Sequence, residues 1–211
     1  MSKFVLLLGG GLHVTDRLRH QVAGARVLAA DGGIAHAAAL GLEPELWLGD
    51  FDSASAQLEA QYAGVPRMEF PAEKDMTDGE LALNEAYRLG ATEVILCGAF
   101  GGERTDHALL HLTMATRFAA EGRKLILSSG YEEAHPLVAG AYAFDFSDGT
   151  PFSIVAFSQL RGLFISGARW PLKNMELSFG SSLTVSNAVR GQLHVSLRSG
   201  EAILIAAPEV A

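Results

Sequence analysis

Residues 4–8, 26–30 and 45–48 are short, mainly apolar runs, and each stops in glycine or aspartate: Gly9-Gly10-Gly11, Asp31-Gly32-Gly33 and Gly49-Asp50-Phe51-Asp52-Ser53. Apolar runs of this length fit strands buried on both faces, as in a parallel sheet covered by helices. Between and after them come segments with helical spacing: an alanine-rich stretch ending at Leu40, then residues 78–89 and 108–120. Residues 93–97 and 124–127 read as two more strands. This alternation predicts an α/β domain with a mostly parallel sheet over residues 1–130.

After Ser128 the texture changes. Residues 129–150 carry glycines, a proline and aromatic residues without clear period, so 131–150 is expected to be a connection. From Phe152 onward short strands alternate with expected turns at Arg190-Gly191-Gln192 and Arg198-Ser199-Gly200-Glu201. Serines and threonines lie there among valines and leucines, a mix that suits half-exposed strands. A small all-β sandwich over residues 151–211 follows.

Charge and composition exclude several function classes. Lys and Arg total 16 against 24 Asp and Glu, a net charge of −8, which argues against a nucleic-acid partner. It leaves room for a nucleotide, because a divalent cation can stand between carboxylates and phosphates. The apolar runs are far shorter than the ~20 residues that span a bilayer. Met1-Ser2-Lys3 leads straight into a strand without a signal-peptide pattern, so the cytoplasm is the expected address and no membrane partner is expected. The single cysteine, Cys97, allows neither a disulfide nor a cysteine metal site.

The aspartates are distributed unevenly. Six of the nine (Asp31, Asp50, Asp52, Asp75, Asp78 and Asp106) stand at or just beyond the ends of expected strands. In open α/β sheets the crevice outside the carboxyl ends of the strands binds ligands. Carboxylates gathered there repel by about 4 kcal/mol per pair at 4 Å and an effective dielectric of 20, so the cluster needs a compensating cation. Mg²⁺, which takes oxygen ligands together with substrate phosphates, is the expected one. Asp50 and Asp52 are two apart, so in extended chain both face one side, as joint metal ligands would. Asp31-Gly32-Gly33, taken alone, also fits a helix cap. Thr77 followed by Glu80 reads as a helix start, and a helix N-terminus favours phosphate. Gly101-Gly102-Glu103-Arg104-Thr105-Asp106-His107 brings a guanidinium for bidentate phosphate contacts and an aspartate that can orient it. His107 fits a structural role or a proton carrier. His13, His20, His36, His111, His135 and His194 lack metal-ligand spacing and read as structural or surface residues. No Walker loop, G-x-G-x-x-G, HExxH or G-x-S-x-G motif is present.

In their order and spacing, the segments Ala30-Asp31-Gly32-Gly33, Gly49-Asp50-Phe51-Asp52-Ser53, Lys74-Asp75-Met76-Thr77-Asp78 and Gly101-Gly102 with Arg104-Thr105-Asp106-His107 resemble the thiamine pyrophosphokinase family. Ser166-Gly167-Ala168-Arg169-Trp170-Pro171-Leu172 and Leu183-Thr184-Val185-Ser186-Asn187 continue the likeness, which runs from about Phe4 to Ile205. The resemblance implies an ATP-binding α/β domain, a thiamine-binding β-sandwich, and a homodimer with thiamine held between subunits. It implies Asp50, Asp52 and Asp78 as Mg²⁺ ligands with Asp31 close by. Asp31, Gly32, Gly33, Thr77, Arg104, Asp106 and His107 would contact ATP or order its phosphates. Lys74, Asp75, Trp170, Ser186 and Asn187 would meet thiamine, with Trp170 stacking on a ring unless it is a core tryptophan. Arg104 and either Asp75 or Asp106 would serve the chemistry, one aspartate accepting the hydroxyl proton. The implied reaction moves pyrophosphate from ATP to the hydroxyl of thiamine. A pyrophosphokinase for another small alcohol such as a pterin, a metal-dependent phosphohydrolase and a non-catalytic sensor are the alternatives. Two positions depart from the common pattern: Glu103 stands before Arg104 where glycine is usual, and His111 where asparagine is usual.

Overall fold

The structure is a computed structural model describing residues 2–51, 54–71, 73 and 75–208. It divides into two compact units, one made of residues up to His111 with Leu127–Gly130, the other of Leu112–Ile126 with residues from Tyr131 onward.

The first unit opens with β1 (Lys3–Leu7), α1 (Asp16–Val22) and β2 (Arg26–Ala30). A 3₁₀ turn, Asp31–Ala35, leads into α2 (His36–Leu40), β3 (Leu46–Gly49), α3 (Ala56–Gln61) and β4 (Arg67–Glu69). Then come α4 (Asp78–Arg88), β5 (Glu93–Cys97), α5 (Thr105–Ala120) and β6 (Leu125–Ser128); the division between units falls inside α5 and β6. Pairing is parallel throughout in the order β5-β1-β2-β3-β4. The chain therefore steps one way from β1 to β4, then returns to the other side of β1 for β5. That reversal makes a topological switch point between β1 and β5. Four of the five residues of each of β1, β2 and β5 are buried, as strands covered on both faces must be. α4 lies against β1, β2 and β3 through Ala82, Leu83 and Ala86. Its start is fixed by Thr77, whose Oγ1 accepts from Glu80 N at 3.3 Å.

The second unit carries β7 (Glu133–Leu137), β8 (Gly140–Phe144), β9 (Pro151–Ala156), β10 (Leu160–Ala168), β11 (Leu172–Leu177), β12 (Asn187–Leu197) and β13 (Ala202–Ala206). All the pairings among them are antiparallel. One sheet runs β7-β13-β9-β12, the other β11-β10-β12-β8, and β12 takes part in both. Phe144, Phe152, Ile154, Leu163, Ile165, Leu193, Val195 and Leu204 fill the core. The fold class is the one expected: an α/β part with a parallel sheet, then an all-β part.

Two local expectations fail. Residues 131–150, expected as a connection, contain β7 and β8. Their inward residues, Ala134, Leu137 and Phe144, carry no strong alternation because both strands are short and Pro136 interrupts the pattern. Arg190-Gly191-Gln192 is no turn; it lies within β12. Gly191 takes φ +81° and its N–H donates to Asp148 Oδ1 at 2.7 Å, so the glycine bends a continuous strand where it passes from β9 to β8. Among the described residues, no helix is long and apolar enough to cross a membrane.

Candidate active site

At the carboxyl ends of the parallel strands, within the first unit, lies a cleft of about 950 Å³. Its walls come from the loops after β1 (Gly9–Gly11), β2 (Asp31, Gly32), β3 (Asp50) and β5 (Gly98 to Arg104), together with the start of α4 and the inner side of α5. The switch point is thus where the cleft opens, as the strand order requires. Backbone packing draws the β1 and β5 loops together: Gly10 N donates to Gly98 O at 2.9 Å, and a Cβ on Gly10 would collide with that carbonyl. His36 bonds Gly10 O through Nε2 at 2.9 Å. His111 is buried on α5 and its Nδ1–H donates to Ala99 O at 2.6 Å. Burial lowers its pKa, so it stands neutral as a bracket for the β5 loop.

Asp31, Asp50 and Asp78 meet here, each offering a carboxylate oxygen within 4.8 Å of the others. Three segments distant in sequence supply them: the 3₁₀ turn after β2, the loop after β3 and the first turn of α4. Asp31 occupies a left-handed conformation, φ +43°, as does Phe51 at φ +62°. Such geometry costs on the order of 1–3 kcal/mol per residue and persists only where the surroundings enforce it. Trp47 is one enforcing group: buried in β3, it donates Nε1–H to Asp31 O at 2.8 Å and meets the Phe51 ring edge-on at 4.9 Å. Phe51 N–H donates to Asp31 Oδ1 at 3.4 Å. Gly49 completes the cradle, since a Cβ there would occupy the space of the Asp31 carboxylate.

The electrostatics follow from this crowding. Half-burial, and then the neighbouring Asp78 and Asp50, push the Asp31 carboxyl up to about 7, and it shares a hydrogen bond with Asp78. Without a cation the cluster relieves its repulsion by keeping a proton. A hard dication would do the same by charge, and an all-oxygen donor set in a glycine cradle fits one.

Arg104, which lines the cleft, forms a bidentate pair with Asp106, Nε to Oδ1 at 2.9 Å and Nη2 to Oδ2 at 2.8 Å, with His107 Nε2 2.7 Å from Nη2. The two hydrogen bonds from Arg104 hold the Asp106 carboxyl below the ordinary carboxylate range. Both side chains are about two-thirds exposed, so the pair adds little stability; its effect is to aim the guanidinium. Thr77 and Asp75 also line the cleft.

The structure therefore brings together Asp31, Gly32, Asp50, Asp75, Thr77, Asp78, Arg104 and His107. Gly33 is buried, and Asp106, outside the cleft lining, pairs with Arg104. Asp52 and Lys74 lie outside the described residues. In the second unit Trp170 is 53% exposed with the Arg169 guanidinium 4.5 Å over its ring, which sets aside the core-tryptophan alternative. Asn187 spends its amide on the Trp170 backbone, accepting from Trp170 N at 3.1 Å and donating to Trp170 O at 2.9 Å. Ser186, exposed and at φ +63°, donates its N–H to Ser153 Oγ at 3.0 Å. His36 and His111, read from the sequence as structural or surface residues, are structural here; sequence reasoning missed Trp47 and Gly49 as a cradle. Their roles are made by contacts distant in sequence, and only the tryptophan beside an acidic turn offered a signal.

Fold and cleft define a class: a two-unit protein whose α/β part opens an acidic, glycine-walled cleft at the switch point of a parallel sheet, with an antiparallel sandwich as the remainder. The family model described as thiamin pyrophosphokinase, catalytic domain, matches residues 21–127, and that described as thiamin pyrophosphokinase, vitamin B1 binding domain, matches residues 144–203. The chain belongs to the thiamin pyrophosphokinase family and is an enzyme of that family. A curated thiamine pyrophosphokinase of Bacillus subtilis (strain 168) is 28% identical over 151 residues, 70% of each chain. The crystal structure of thiamine pyrophosphokinase from Bacillus subtilis has the same fold, with TM-score 0.85 at 23% identity over 98% of this chain and 99% of that one. So does thiamin pyrophosphokinase from Candida albicans, TM-score 0.82 at 12% identity over 98% and 89%.

Proposed function

We propose that this chain transfers a pyrophosphoryl group from ATP to the hydroxyethyl oxygen of thiamine, giving thiamine diphosphate and AMP. The observation that carries the reading is the meeting of Asp31, Asp50 and Asp78 within 4.8 Å, in a glycine-walled cleft, in a chain of this family. Asp50 and Asp78, with Asp52, would hold Mg²⁺, and Asp31 offers a carboxylate oxygen within 4.8 Å of those of Asp50 and Asp78. When bound, the ion neutralises charge on the transferring and leaving phosphates.

The chain's own residues do the positioning, which is most of the work in phosphoryl transfer. Gly32 and the Thr77-capped start of α4 receive the anionic chain of ATP, with the helix N-terminus favouring it. Arg104, aimed by Asp106 and flanked by His107, donates to phosphate oxygens. The thiamine oxygen bonds to the β-phosphorus while the bond from that phosphorus to the α–β bridging oxygen breaks, and AMP departs with that oxygen. Asp75 takes the hydroxyl proton, because Arg104 makes Asp106 a poor acceptor. Thiamine's permanently cationic thiazolium suits an acidic cleft, which Asp75 lines. Lys74, outside the described residues, and Ser186 belong to the thiamine contacts of this reading, and the exposed Trp170, its backbone held by Asn187, offers a face to stack on. The reading includes a homodimer with thiamine at the subunit interface and a cytoplasmic address.

The test is incubation with ATP, Mg²⁺ and thiamine. Thiamine diphosphate and AMP in equal amounts are expected, with a pterin alcohol left unreacted. ADP as the coproduct, or phosphate released without thiamine, overturns the reading.

A further inference from the structure

Phe51 separates two of the carboxylates on which the proposed metal centre depends, and its backbone is left-handed at φ +62°. A phenylalanine does not stay there unaided. Its ring is held from two sides. Trp47 meets it edge-on at 4.9 Å and 82°, and Arg67 places its guanidinium carbon 5.0 Å from the ring centroid. The same guanidinium lies 4.7 Å over Trp47. Trp47 and Arg67 are direct partners on the parallel strands β3 and β4, so the sheet register itself sets this stack. Glu59 on α3 fixes the far side of the guanidinium, with Oε1 accepting from Nη1 at 3.3 Å. The stack reaches the acidic cluster by two routes: Trp47 Nε1–H to Asp31 O at 2.8 Å, and Phe51 N–H to Asp31 Oδ1 at 3.4 Å. Arg67 stands outside the cleft lining.

We propose that Arg67 is a positioning residue for the metal centre: its guanidinium clamps Trp47 and Phe51, and the clamp holds the turn after β3 so that Asp50 faces Asp31 and Asp78. A planar, weakly hydrated cation is what stacking on two rings requires, and a lysine ammonium meets that need less well. The inference rests on the metal reading above and adds to it a residue remote from the ligands.

The experiment measures Mg²⁺ and Mn²⁺ binding calorimetrically to the full chain without ATP or thiamine, alongside thermal melting and the KM for thiamine. Four proteins are compared: the unaltered chain, Asp50→Asn, Arg67→Met and Arg67→Lys. Arg67→Met is expected to weaken cation binding about tenfold or more, the scale on which groups orienting metal ligands act. Its KM for thiamine should stay near the unaltered value, and Arg67→Lys should fall between. Cation affinity unchanged in Arg67→Met while Asp50→Asn loses it overturns the clamp alone. Absence of binding by the unaltered chain, or unchanged binding by Asp50→Asn, overturns the metal reading and the clamp with it. If Arg67→Met fails to melt cooperatively, Arg67→Lys decides: weakened cation binding with a normal melt supports the clamp, and full affinity overturns it.

Discussion

Asp31 holds its proton well above the ordinary carboxylate range for a local reason: it is half buried, beside Asp78 and Asp50, with its carboxyl raised to about 7. A carboxyl raised on folding stabilises the fold below the unfolded value near 4 and loses that contribution as pH rises through the folded value. In a chelator, melting temperature should therefore fall between about pH 4 and pH 7 through this group, and Asp31→Asn should flatten that fall. Added Mg²⁺ should raise the melting temperature more at pH 8 than at pH 5.5, because only the ionised cluster binds it fully. An equal rise at both pH values would contradict this account of Asp31. Asp50→Asn leaves the Trp47 and Phe51 contacts in place, so the fold should survive. Its kcat should drop about 100-fold, comparable to removing one preorganised charge partner. Near-normal turnover would remove Asp50 from the metal centre.

At the scale of elements, Thr77 links stability to the site, since it caps the helix whose first residue is Asp78. Thr77→Val should cost about 1 kcal/mol in denaturant unfolding through the lost cap. Such an element was legible in advance: Thr77 with Glu80 marks the start of α4, and the strands ending in glycine and aspartate mark the parallel sheet. The aspartates at those ends could be read as one cluster because a parallel sheet sends its carboxyl ends to one edge. What could not be read was made by distant contacts. Arg67, alone on a three-residue strand, has no meaning until β3 and β4 pair. Gly49 looks like a turn residue until the Asp31 carboxylate is seen in the space its Cβ would fill. β7 and β8 escaped notice because short strands with broken alternation resemble a linker, and Gly191 resembled a turn because a bulge and a turn ask for the same backbone.

The whole molecule joins an acidic α/β unit to a β-rich unit that exposes Trp170, Phe179 and Leu183. The proposed division of labour gives ATP to the first and a stacking face for thiamine to the second. Trp170→Ala should then raise the KM for thiamine about tenfold, the loss of roughly 1.4 kcal/mol of stacking and burial, while the KM for ATP stays put. Equal changes in both would place Trp170 elsewhere in the catalytic cycle. The proposed function depends on one dication gathering carboxylates from three segments distant in sequence. Crystals soaked with Mn²⁺ and a non-hydrolysable ATP analogue, measured at the manganese absorption edge, address it directly. The expected result is an anomalous peak between Asp50 and Asp78, touching the analogue's phosphates; a peak only elsewhere, with those carboxylates turned apart, would contradict it.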